Sequence, residues 1–151
     1  MRRLALYSFV ITLLWLGFVC AISFMEAPLK FKAPGVEPKQ ALSIGYVVFH
    51  ALNRMEWISA ALSWIILLRL RVVRTRGTSL LLGAVTLVLL FQTFVLLPVL
   101  DSHVAQVIKG GISESTWHHI AYIVADAVKV LLLGVLASMQ IQAFARAVIS
   151  E

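Results

Sequence analysis

LLLGAVTLVLLFQTFVLLPVL, residues 80–100, contains no charged side chain, and Gln92 is its only strongly polar interior residue. A helix over this stretch, at 1.5 Å per residue, is about 30 Å long, which is the thickness of a bilayer's hydrocarbon core. Pro98 stands near its end, where it can kink or terminate the helix. Just upstream, Arg69, Arg71, Arg74, Arg76 and Gly77 make a short basic turn. Before that turn lies a second apolar run, 43–70, which alone is interrupted by several polar groups: His50, Asn53, Arg54 and Glu56.

Further upstream, residues 25–40 hold Pro28, Pro34, Pro38 and Gly35 among mixed charges and read as a loop. The first run, 4–24, follows Arg2 and Arg3. It exceeds the h-region of about 7–15 residues usual in a signal peptide and is read as a retained helix. Downstream of residue 100, the segment 101–117 reads as a loop with Gly110-Gly111, and Ser113-Glu114-Ser115-Thr116 offers cap chemistry ahead of a fourth run, 117–142.

Composition agrees with four spans. Of 151 residues, 61% are hydrophobic and 13% charged, against about a quarter charged in soluble domains. The expectation is one all-α domain over 1–151, an integral membrane four-helix bundle of two antiparallel hairpins with helices about 4–24, 43–70, 79–100 and 117–142. The net charge of +6 falls in the connections, so it is a topology signal and not a nucleic-acid footprint. Arg2, Arg3, the loop arginines and Arg146 share one side against Lys30, Lys32, Lys39 and Lys109, which predicts both termini inside (N-in/C-in). The single cysteine, Cys20, excludes an internal disulfide and a cysteine-based metal site.

Charge within hydrocarbon costs several kcal/mol per group, so each such residue needs a partner or a task. Residues 50, 53, 54 and 57 follow one helical face, as do 119, 122, 126 and 129. Counted from the outer ends, the two polar stripes lie at similar depth. The bland reading makes Arg54 and Lys129 neutralise Glu56 and Asp126 as interhelical pairs that fix register. The functional reading makes Glu26, Asn53, Arg54, Glu56, Tyr122, Asp126 and Lys129 an outward-facing polar pocket. His50, His103, His118 and His119 all map to the outer half, so a metal, haem or proton-relay site is a second candidate, with His50 and His119 as ligands. Met25 and Met55 could add thioethers for copper(I). No His-x-x-x-His pair, phosphate loop or nucleophile elbow is present, and the reading leans against an enzyme.

The stretch Ser23-Phe24-Met25-Glu26-Ala27-Pro28-Leu29-Lys30-Phe31-Lys32-Ala33-Pro34, with Ile44-Gly45, Val48-Phe49, Leu52-Asn53 and Glu56, resembles a family of small four-helix bacterial membrane proteins of unknown function. That family is similar to the eukaryotic transmembrane protein associated with cisplatin resistance. Trp117-His118-His119-Ile120-Ala121-Tyr122 with Lys129 resembles its final helix. The resemblance implies a bacterial inner-membrane location and gives weight to Glu26, Asn53 and Glu56. A more distant likeness, to the copper resistance protein D membrane domain and HemJ-type haem-associated proteins, implies haem b, copper or zinc as cofactor. Three functions are therefore carried forward: binding or transport of a metal ion, other small cation or cofactor; haem- or quinone-linked redox; and an accessory subunit that docks a membrane partner. The lipid bilayer is the expected surrounding, with a membrane-protein partner or homo-oligomer as further partner.

Overall fold

Each apolar run becomes a helix, and each helix outlasts the run that predicts it. The computed structural model describes residues 2–69, 74–111 and 116–149. Among them are four long helices: α1 over residues 2–32, α2 over Pro38–Arg69, α3 over Arg76–Ile108 and α4 over Thr116–Ile149. Three contain segments long and apolar enough to cross a membrane: Ala5–Lys32, Arg76–Ile108 and Trp117–Arg146. α2 is as long, but His50, Asn53, Arg54 and Glu56 occupy its middle.

The connections are shorter than the sequence suggested. Of the expected loop 25–40, only 33–37 is left outside helix, turned by Gly35 at φ +80°. Pro38 opens α2 at its first position, where the missing N–H is no loss. Gln40 accepts a 2.9 Å hydrogen bond from the Glu37 backbone N–H, half of a capping box. The expected loop 101–117 is likewise helical as far as Ile108, and Gly110 at φ +91° turns the chain away. Thr75 caps α3 through a reciprocal box with Thr78. Leu70, Arg71 and the cap sequence Ser113-Glu114-Ser115 lie outside the described residues.

Pro28 and Pro98 do not end their helices, and the backbone records why. A helical proline removes one donor, and its ring crowds the carbonyl four residues back. In α1 a wide π-helical turn over Cys20–Glu26 precedes Pro28, and the Ala27 N–H bonds the Ile22 carbonyl, five residues back. In α3 the same device spans Gln92–Leu96 ahead of Pro98, with the Leu97 N–H on the Gln92 carbonyl. Widening the turn gives each ring room and lets the helix continue.

The helices pack in cyclic order, α1 on α2, α2 on α3, α3 on α4 and α4 on α1, with α1 facing α3 and α2 facing α4 across the diagonals. The short connections make successive helices antiparallel. Trp15, Val19, Leu52, Val85, Leu89, Leu133 and Leu136 fill the centre. The outer surface is apolar as well: Leu131 is 71% exposed and Phe94 70%, a pattern suited to lipid and not to water.

Polar pairs set the register of α2 against α3. His50 Nε2 meets Asp101 at 3.0 Å. Asn53 and Trp57 both donate to Thr93 Oγ1, at 2.8 and 3.1 Å, and Trp64 donates to Thr86 Oγ1 at 3.0 Å. On α2 the successive rungs 50, 57 and 64 are one heptad apart. On α3 the rungs 86 and 93 are also a heptad apart, but 93 and 101 are separated by eight residues, and the widened turn at 92–96 supplies the extra one.

Since Thr93 serves two donors and Thr86 one, Thr93→Val should lower stability by about 1–2 kcal/mol and Thr86→Val by less. Denaturant unfolding of the detergent-solubilised protein measures this. Equal midpoints for both variants and wild type would remove the ladder as the source of register.

Candidate functional site

One polar group from each of α1, α2 and α3 and two from α4 meet at mid-height in the bundle. Asp126 and Lys129 lie three residues apart on α4 and so share a face. Lys129 Nζ bonds Asp126 Oδ1 at 2.9 Å and also Glu56 Oε1, reaching across the diagonal to α2. Trp15 of α1 donates its indole N–H to the same Glu56 oxygen at 3.0 Å. Gln92 of α3, the first residue of the widened turn, donates to Asp126 Oδ1 at 2.8 Å and to the Tyr122 carbonyl at 3.4 Å. Glu56, Gln92, Asp126 and Lys129 are all fully buried.

The cluster is unbalanced in charge and in hydrogen bonding. With both carboxyls ionised, two carboxylates around one ammonium leave the cluster one formal negative charge in excess. Glu56 Oε2, Asp126 Oδ2, Gln92 Oε1 and Tyr122 Oη are buried without a hydrogen-bond partner among the described residues. Three of these four are oxygens that can only accept. The arrangement therefore has spare acceptors and one uncompensated negative charge, both expensive away from water.

Arg54 was expected to supply the second positive charge, and it does not. It stands two positions before Glu56, about 200° of helical rotation, so the two side chains leave α2 on opposite sides. Arg54 is exposed, while Asn53 and Glu56 face inward. Asn53 is engaged by Thr93 on the α2–α3 seam. Glu26 stands apart near the 33–37 connection, where it pairs with Lys30 at 3.3 Å. The Lys30 ammonium lies 5.0 Å from the centre of the Phe49 ring and against Gly45, where a Cβ would stand 2.6 Å from it.

The histidines gather toward the same end but not into one set. His50 is held by Asp101, with the Tyr46 ring 4.5 Å away. The His103 and His118 ring centres are 5.5 Å apart. His119 lines a cavity between the helix ends, together with Lys30, Phe49, Leu97, Asp101 and Tyr122. Among the described residues no group of three His, Cys, Asp or Glu side chains could hold a metal ion. Met25 and Met55 sit on exposed faces, 59% and 39% accessible.

Tyr122 links the cavity to the cluster. It lines the cavity wall, packs edge-on against Phe49 at 5.3 Å between ring centres, and lends its carbonyl to Gln92. On the opposite side of the cluster, Val85, Leu89, Leu133 and Leu136 close the core. Trp15 and Gln92 were not among the site residues expected from sequence. Gln92 had a readable signal, as the one strongly polar residue in a charge-free run; Trp15 had none.

Removing the central cation leaves two buried carboxylates facing each other. Lys129→Met is expected to cost about 3–5 kcal/mol. The triple change Glu56→Gln, Asp126→Asn, Lys129→Met should restore much of that loss, because the neutral amides carry no buried charge. Unfolding of both proteins in detergent tests this, and a triple variant no more stable than Lys129→Met would refute the ion cluster as the source.

No protein family matches the chain, and neither any of the curated proteins nor any solved structure does, so its functional reading is built on the geometry of this cluster.

Proposed function

We propose that the chain is a small multi-pass membrane protein that takes up a small cation, in the first instance a proton, at the Glu56–Lys129–Asp126 cluster. The observation that carries this reading is the cluster's net negative charge combined with its unpartnered acceptors. A proton on either carboxyl cancels the surplus charge and converts an acceptor into a donor, correcting both imbalances at once. The free groups are all oxygens, which favours a hard cation over copper(I) or haem. Full enclosure favours the ion that needs no cavity of its own.

The basic residues orient the bundle with both termini in the cytoplasm, so the cavity at the 33–37 end faces outward. A proton reaches the cluster from that side past the Tyr122 hydroxyl. The apolar layer beyond favours binding, or a carrier that must change shape, over an open channel. Of the seven residues expected to form an outward-facing pocket, this reading uses Asn53, Glu56, Tyr122, Asp126 and Lys129, with Asn53 holding the α2–α3 wall and the others handling charge, and leaves out Glu26 and Arg54.

Infrared spectroscopy of the purified protein in lipid nanodiscs tests the proposal. A protonated-carboxyl band is expected at neutral pH in wild type, altered or lost in Glu56→Gln and Asp126→Asn. A wild-type spectrum without that band, combined with thermal stability indifferent to sodium, potassium and pH, would exclude cation uptake here.

A further inference from the structure

Arg54 lies sixteen residues from the start of α2 and fifteen from its end, about 24 and 22 Å along the helix axis. Its neighbours confirm the level: Asn53 bonds Thr93 and Glu56 bonds Lys129, each near the middle of its own helix. In a bilayer of about 30 Å this is the mid-plane. A stem of three methylenes cannot lift a guanidinium from there to water or to a lipid headgroup. Arg54 is nevertheless on the exposed side of α2, and no residue among those described pairs with it.

The surface around it is built for another helix. Val47, Ala51, Arg54, Ile58, Ala61 and Ile65 are all exposed and follow one another at intervals of four, three, four, three and four residues. This is the seam periodicity of a left-handed helix pair. Ala51 and Ala61 flank the arginine and permit close backbone approach.

We infer that this face of α2 docks a transmembrane helix of a different protein, one that carries an aspartate or glutamate at mid-membrane depth. A second copy of this chain does not fit. Two α2 faces brought together about a two-fold axis would oppose Arg54 to Arg54. No other described face supplies the missing charge at this depth: Glu56 and Asp126 are buried, Glu26 and Asp101 pair with Lys30 and His50 toward the outer end, and the exposed Glu37 lies in the connection before α2. The partner helix must therefore bring its own carboxylate, which pairs with the guanidinium in a bidentate bond shielded from water. The inference rests on the membrane placement proposed above and not on the cation at the cluster.

The full-length protein, labelled at its C-terminus and reconstituted in phosphatidylcholine vesicles, can be titrated with acceptor-labelled synthetic helices of leucine and alanine. One helix carries a single central aspartate and the control carries leucine there. Energy transfer should report roughly ten-fold tighter association of the aspartate helix, the scale of one interhelical polar contact. Arg54→Leu should abolish the difference without affecting insertion, which alkaline extraction scores separately. Equal binding of the two helices by inserted wild type, or an unchanged preference in Arg54→Leu, would overturn the interface while leaving the cation reading standing. A disulfide between two copies through Ala51→Cys in a Cys20→Ser background would overturn it in favour of a homodimer. Failure of wild type to insert would overturn the interface and the membrane reading together.

Discussion

The contact between Lys129 and Glu56 is the constraint on which the rest of the bundle depends. α2 and α4 face each other across a diagonal without extended packing, and this ion pair, with the Phe49–Tyr122 ring contact above it, reaches between them. Asp126 holds the lysine from its own helix, Trp15 ties α1 to the glutamate, and Gln92 ties α3 to the aspartate. Every helix thus has a stake in one charged centre. Such a centre is poor value as a stabiliser, since desolvation offsets most of its attraction and an apolar core of equal volume would do as well or better. Its retention at the cost of an uncompensated charge is the physical argument for assigning it a task.

Around the centre, the two halves of the bundle differ in kind. Toward the basic turns, the aliphatic layer of Val85, Leu89, Leu133 and Leu136 gives way to small buried polar groups, Ser8, Thr12, Ser63, Thr78 and Gln140, of which Gln140 donates to Ser8 Oγ at 2.9 Å. Toward the 33–37 connection, aromatic rings, lysine and histidine border a cavity that ends at Tyr122. The cluster marks the boundary between them. The exposed arginine belongs to the same level but to the outer surface, so α2 carries inward and outward polar functions on opposite sides of one turn.

Much of this was legible in the sequence, for identifiable reasons. Four apolar runs separated by basic or proline-bearing segments predict four helices, three of them long and apolar enough to cross a membrane, and the residues Glu56, Asp126 and Lys129 stand out because hydrocarbon punishes charge. Helix ends were not legible. Pro28 and Pro98 looked like terminators because proline breaks a regular helix, and composition does not reveal that a widened turn upstream can absorb one. The pairing was only half legible: periodicity grouped Arg54 with His50 and Asn53, yet the neighbours on α3 and α4 decide which side of α2 faces inward, and they chose the side of Glu56. Trp15 could not be found, since tryptophan in an apolar run serves packing far more often than it serves a buried carboxylate.

The extra residue in the turn at 92–96 also changes how α3 has to be drawn. One residue is about 100° of rotation, so positions before Gln92 and after Leu97 belong to two helical wheels offset in phase. Val85 and Leu89 point to the core on the first wheel, and Asp101 reaches His50 on the second. A single projection of residues 76–108 blurs the two together and makes the helix look less amphipathic than either half is. The α2–α3 seam stays in step along its whole length only because the backbone slips a notch where the proline demands it.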